Sequence, residues 1–255
     1  ITNNQPHLKK DKKDKNNNAQ ARAGADFIDC APSTAPELEY DAMAWLIGVI
    51  EQATDKPICM DSPNAALLAR VLDEGLVRRP GMVNSVNEEG TKCETIFPLI
   101  AGTEWQAVGL TCDRDGIPSD PEKKIDIAKR IIDKAEHYGV KLENLHIDPC
   151  VMALSTMPSS MRDFERAIRG IHEYAPQVKV TGAISNISFE MPARKYVNSL
   201  CMAYAIGAGL DSAIMDPCSV DMMSAVYAAE ALCMKDKGGR RYNRAYRQGK
   251  IGAKK

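Results

Sequence analysis

Short apolar runs alternate with amphipathic stretches along this chain at a nearly constant pace. The runs are Asp26 to Cys30, Pro57 to Asp61, Gly81 to Asn84, Ala107 to Cys112, Asn144 to Asp148, Gln177 to Asn186 and Asp211 to Asp216. Their length and their β-branched and apolar content suit strands. Between them the spacing of apolar residues lengthens. Ser119 or Asp120 can cap a helix with Pro121 near its start, after which Ile125, Ala128, Ile131, Ile132 and Ala135 recur every three or four residues. Phe164, Ala167, Ile168 and Ile171 repeat the pattern one unit later. Strand, helix, strand at this pace makes βαβ units and a parallel sheet. A length of 255 residues then fits α/β architecture as one (β/α)8 TIM barrel, a single domain over residues 1–255.

Seven strands can be read in this way, one short of a closed barrel. The chain opens at Ile1 without a Met, and a helix-like stretch from Leu8 to Ala23 follows almost at once, so the first strand is expected upstream or truncated. Within that stretch, Lys9 to Asn18 is rich in Asn and Lys and reads as a loop or as part of the helix.

Four of the strands end in a carboxylate or a carboxamide. Pro57-Ile58-Cys59-Met60 stops at Asp61-Ser62, Gly81-Met82-Val83 at Asn84-Ser85, Leu145-His146-Ile147 at Asp148-Pro149, and Val178 to Ile184 at Ser185-Asn186. In a parallel barrel these tips converge on the face where ligands bind, so the expected site is one polar pocket built from all four.

Composition narrows the function classes. With 44% apolar and 26% charged residues the chain can bury a large core beneath a soluble surface. No apolar run approaches the roughly 20 residues that span a bilayer, and no signal peptide is visible. A net charge of −1 argues against a nucleic-acid partner. The expected location is therefore cytoplasmic. The eight cysteines show no Cys-x-x-Cys spacing and read as small hydrophobes in a reducing compartment; a zinc or cobalt site would need ligands from separate strands, and no tightly bound metal is expected. His146 shares the inward parity of Asp148, and barrel packing is the plainer reading of it.

The ordered set Cys59-Met60-Asp61-Ser62-Pro63-Asn64, Met82-Val83-Asn84-Ser85, Gly109-Leu110-Thr111 with Gly116-Ile117-Pro118, Ile147-Asp148-Pro149 and Ser185-Asn186-Ile187-Ser188 resembles the pterin-binding methyltransferases. These exchange a methyl group between tetrahydrofolate and a corrinoid protein. The resemblance runs from about Gly24 to Ala231. It implies a homodimeric enzyme of anaerobic one-carbon metabolism, with tetrahydrofolate or 5-methyltetrahydrofolate as substrate and a cobamide as methyl carrier. The chain shows no Asp-x-His-x-x-Gly cobalt-ligating motif, so the cobamide is expected on a separate corrinoid protein.

The residue types fit that chemistry. A pterin presents a ring N–H beside an exocyclic amine, and one carboxylate accepts from both, while its carbonyl and ring nitrogens suit an adaptable amide. By resemblance, Asp61, Asn84 and Asp148 hold the pterin edge. Asn186 matches the asparagine near N5, the atom that carries the methyl group, and is the catalytic candidate. A methyl on neutral N5 leaves only as positive charge develops there, and in reverse N5 attacks a methyl on cobalt and sheds a proton. An amide donates or accepts as it turns, so Asn186 can serve both protonation states without acting as an acid or base itself.

Other positions depart from the family or support two readings. Asp29-Cys30-Ala31-Pro32 keeps the carboxylate of the family's Asp-x-Asn and loses its amide at Ala31, which looks more like corrinoid systems that demethylate small substrates and pass the methyl to tetrahydrofolate. Arg194 reads as a ligand-stacking or glutamate-tail arginine or as surface, and Asp216 as a pocket residue or a helix cap. The loop holding Asp113 and Asp115 overlies the same face. The basic tail from Lys235 to Lys255 reads as a solvated helix and end, or as an electrostatic dock for an acidic corrinoid protein or a folate tail. A dihydropteroate synthase-like enzyme is the main alternative, but Met191-Pro192-Ala193-Arg194-Lys195 poorly matches the basic, serine-rich phosphate site it needs. A non-catalytic folate-binding subunit of a corrinoid complex is the other.

Overall fold

A computed structural model describes residues 18–252. Six strands form one parallel sheet in chain order: β1 (Ile28–Cys30), β2 (Ile58–Asp61), β3 (Met82–Glu88), β4 (Gln106–Asp113), β5 (Leu145–Asp148) and β6 (Lys179–Val180). Helices cross over between them: α1 (Glu39–Ala53), α2 (Ala65–Asp73), α3 (Lys92–Ile100), α4 (Pro121–Tyr138) and α5 (Ser160–Tyr174). Then follow α6 (Arg194–Ala208), α7 (Val220–Leu232) and α8 (Arg240–Arg247). Residues 18–23 are helical, while residues 8–17 of the expected N-terminal helix, and any strand before Asp26, lie outside the described residues.

Strand parity divides the apolar side chains into two sets. Ile28, Ile58, Met60, Val83, Ala107, Leu145, Ile147 and Val180 point outward into the main core, against the helices. Cys59, Met82 and Val108 point inward and form a separate small cluster with Phe27 and Leu110. A sheet with helices on one side and its own plug on the other is the barrel arrangement. The expected stripe of α4 is buried, and Asp120 is its cap, with Oδ1 accepting from Glu122 N at 3.0 Å. At Gly109 an added Cβ would lie 2.9 Å from Ile131, so glycine lets α4 press onto β4.

Three expected strands differ. The run expected to stop at Asn84 continues as strand to Glu88. Only Lys179–Val180 of the run from Gln177 to Asn186 is strand, and Ile184–Ser188 is a 3-10 turn. Asp211 to Asp216 is extended but irregular. It lies along β6, with Asp211 N and Ser212 N both donating to Val180 O and Ile214 N to Gly182 O. The Asp211 carboxylate itself accepts from Val180 N at 2.8 Å, so a side chain takes the rung that a strand carbonyl would fill.

Candidate active site at the strand tips

Bonds between neighbouring tips assemble the rim. Asp61 and Asn84 are register partners on β2 and β3, and Ser62 N donates to Asn84 O at 2.9 Å. Asn87 Nδ2 reaches Cys112 Sγ at 3.0 Å, joining β3 to β4. Leu110 pairs in register with Asp148. Asp148 then accepts from Cys150 N at 2.7 Å and from the backbone N–H of Ala183, which ties β5 to the segment leading into Asn186. Leu154 N donates to Ile187 O at 2.9 Å, so the loop after β5 also holds the turn that carries Asn186.

Four of the expected residues keep their polar atoms uncommitted. Among the described residues, the side chains of Asp29, Asp61, Asn84 and Asn186 form no hydrogen bond. Asn84 is 6% exposed, Asp61 and Asn186 are half-buried and Asp29 is exposed, so this capacity runs from the barrel interior to its open rim. Burial pushes Asp148 up to about 6, against the pull of Cys150 N–H, the Lys124 charge and Ala183 N–H. Burial also raises Asp61. Asp29 is pushed up to about 6 by burial and then by the charge of Asp61, so these two carboxylates feel one another. Cys59, inward beside both, has its thiol held well above the ordinary range by burial and by Asp29 and Asp61.

Beneath the rim lies a cavity of about 800 Å³ lined by Asp29, Cys59, Met82, Val108, His146 and Thr181 among others. Of the expected ligand residues it includes Asp29; Asp61, Asn84 and Asp148 follow further along the same or neighbouring strands. His146 is committed to packing: Nε2 lies 2.7 Å from Gln106 Oε1 and Nδ1 2.9 Å from Ser212 Oγ, and burial pushes the imidazole down to about 4.

Two peripheral residues have structural partners. Arg194 donates to Ser188 Oγ at 2.9 Å and Ser185 O at 2.7 Å and lies 4.9 Å over the Phe189 ring, bracing the turn around Asn186. Asp216 is exposed, with Oδ1 accepting from Cys218 N at 2.9 Å. The cap of α7 is Ser219 and not Asp216. In the basic tail, Asp236 accepts from Arg241 N and Tyr242 N at the start of α8, and Arg241 pairs with Glu230 at 3.0 Å. Sequence reasoning missed Lys124, which is 1% exposed and donates to Cys150 O at 2.8 Å. Its signal was a lysine three, four and seven residues before Ile127, Ala128 and Ile131 on the buried stripe of α4. No group of three or more metal-binding side chains converges among the described residues.

A parallel α/β fold with Asp61, Asn84, Asp148 and Asn186 on one rim is the architecture of this chain, and the chain belongs to the pterin-binding enzyme family, which it matches over residues 5–216. It is 44% identical over 236 residues to the methylcorrinoid:tetrahydrofolate methyltransferase of Eubacterium limosum, covering 92% of this chain and 86% of that one. It is 33% identical over 210 residues to the methionine synthase of Mycobacterium tuberculosis, covering 77% of this chain but only 17% of that one. The dihydropteroate synthase structure from Vibrio fischeri shares its fold at a TM-score of 0.67, with 18% identity and 91% of each chain covered.

Proposed function

We propose that this chain is a methyltransferase that takes a methyl group from a corrinoid carried by a separate protein and places it on N5 of tetrahydrofolate, giving 5-methyltetrahydrofolate. The observation that carries this reading is the Asn186 carboxamide, half-buried on a braced turn and without a hydrogen-bond partner among the described residues, on the same rim as the three expected pterin-edge residues. A site that only held the pterin edge would not need it. The similarity to a methylcorrinoid:tetrahydrofolate methyltransferase over nearly the whole chain supports the same activity; the likeness to dihydropteroate synthases is one of fold.

In this reading Asp61 and Asp148 accept from the pterin N–H groups and Asn84 meets its carbonyl and ring nitrogen edge. Each charge-assisted bond contributes roughly 1.5 to 3 kcal/mol. N5 attacks the methyl carbon, the carbon–cobalt electron pair stays on the metal as Co(I), and the N5 proton leaves to water. Asn186 stabilises N5 while it is positively charged by accepting through Oδ1, and turns to donate through Nδ2 once N5 is neutral. Asp29 raises the negative potential beneath the ring, Arg194 fixes the Asn186 turn, and Asp216 offers its second oxygen at the margin.

We infer one pterin-binding barrel domain, acting as a homodimer in the cytoplasm. None of the eight cysteines, all among the described residues, forms a disulfide, as a reducing compartment keeps them, and no described helix is long and apolar enough to cross a membrane. The dimer is supported by α6, where Tyr196, Leu200 and Tyr204 stand 63%, 62% and 59% exposed in one stripe, a patch suited to burial against a second copy.

The test is an oxygen-free assay with methylcobalamin and tetrahydrofolate, following the corrinoid spectrum and 5-methyltetrahydrofolate. Asn186→Ala is expected to slow transfer at least about tenfold, about 1.4 kcal/mol of transition-state stabilisation, with folate binding retained. Absence of folate binding by the parent protein would overturn the pterin reading.

A further inference from the structure

Lys124 carries a cation into the apolar stripe of α4, an expensive location for a lysine. Its ammonium donates to Cys150 O at 2.8 Å, and among the described residues no carboxylate pairs with it directly. The residue it holds is unusual: Cys150 has φ 53, the left-handed region that a side chain other than glycine rarely takes. In that conformation Cys150 N turns back to Asp148 Oδ1 at 2.7 Å while its carbonyl faces Lys124. Ser160 pins the next segment, accepting from Met152 N at 2.9 Å and donating to Met152 O at 2.7 Å. If the turn alone needed holding, a neutral donor would suffice.

We propose that Lys124 is a positioning residue for the pterin site, whose buried ammonium locks the Cys150 turn onto Asp148 and keeps that carboxylate charged for its ligand. This rests on Asp148 being a pterin acceptor, as read above. The groups around the pair are few. From β5 and its loop come Asp148 and the Cys150 thiol, whose Sγ lies 3.5 Å from Asp148 O. From α5, Asp163 acts on Lys124, and from β4 the Cys112 thiol acts on Cys150. Lys124 is the only cation that acts on Asp148 among these.

The experiment compares wild type, Lys124→Arg, Lys124→Gln and Asp148→Asn. The Asp148 carboxyl is titrated by carbon-13 NMR in the ligand-free protein, with Asp148→Asn assigning the signal, and 5-methyltetrahydrofolate affinity is measured over the same pH range. Thermal melting verifies folding. Gln keeps a donor but loses the charge, so the Asp148 midpoint is expected to rise by about one pH unit. Folate affinity then falls roughly fivefold near pH 6, where the wild-type carboxylate is half ionised, and converges with wild type near pH 8.5. Arg is expected to restore both. A Gln variant that folds and keeps the wild-type midpoint overturns the role of Lys124, whatever the folate data show. A shifted midpoint beside an Asp148→Asn variant that binds folate normally leaves the tuning intact and overturns the pterin role of Asp148 instead.

Discussion

His146 and Asp148 stand two residues apart on β5, both inward and both 4% exposed, yet the protein treats them in opposite ways. Below, His146 has both ring nitrogens engaged by Gln106 and Ser212, a closed network that fixes the barrel interior. Above, Asp148 is tied to its own turn, while Asp61, Asn84 and Asn186 around it make no side-chain hydrogen bond among the described residues. An interior polar group that is satisfied stabilises a unique packing, whereas one left open costs stability until a ligand completes it. The contrast separates structural from functional polarity within one strand.

The largest effect that tests it is on the rim. Asp148 is pushed from 3.8 to about 6 in the folded state. Such a group contributes stability that is fully present below the unfolded value and is lost as pH rises through about 6. Asp148→Asn is therefore expected to stabilise the ligand-free protein near pH 8 by up to about 3 kcal/mol, with the gain vanishing below about pH 4, as read from denaturant midpoints. A loss of stability at high pH would break the contrast.

Asp61→Ala comes next. Folate affinity is expected to fall by roughly 1.5 to 3 kcal/mol, about ten- to a hundredfold, in titration calorimetry, while the ligand-free protein holds its melting temperature or gains. His146→Leu is expected to do the reverse, losing about 1 to 3 kcal/mol of stability because Gln106 and Ser212 are left unpaired, with folate affinity little changed. His146 also gives the opposite pH signature. Its value is pushed down from 6.5 to about 4, so its stability is present above about 6.5 and lost as pH falls through about 4. The leucine variant is expected to be flatter than wild type across that window. The smallest effect belongs to Asp216→Ala, which removes an exposed turn bond and is expected to stay within about 0.5 kcal/mol in stability. A tenfold fall in folate affinity there would move Asp216 from the margin of the site to its centre.

Much of this was legible in sequence because strands and helices write their periods into it. The runs ending at Asp61, Asn84 and Asp148 are strands, and Ile125, Ala128, Ile131, Phe164 and Ile168 are buried on α4 and α5. Where the reading erred, a side chain had replaced a backbone rule. Asp211 takes a ladder rung with its carboxylate, so an apolar run from Asp211 to Asp216 does not become a regular strand. Arg194 supported two readings in the sequence, ligand contact and surface; in the structure Ser185 O and Ser188 Oγ engage its guanidinium. Lys124 went unnoticed in the sequence because one cation in an apolar stripe does not change the period.

Sequence alone determined the repeat of strand and helix, the inward parity of His146 and Asp148, and the placing of Asp61 and Asp148 at strand ends, since each is a matter of local period and residue type, whereas Asn84 lies within β3 and Asn186 in a 3-10 turn. Tertiary structure decided which of those polar groups are already spent. Gln106 and Ser212 come to His146 across 40 and 66 residues, and Lys124 comes to the Asp148 turn across 26. Hydrogen bonds over such separations depend on strand register and on how the outer helices pack, which no local pattern records, and they distinguish a packed interior from a ligand site.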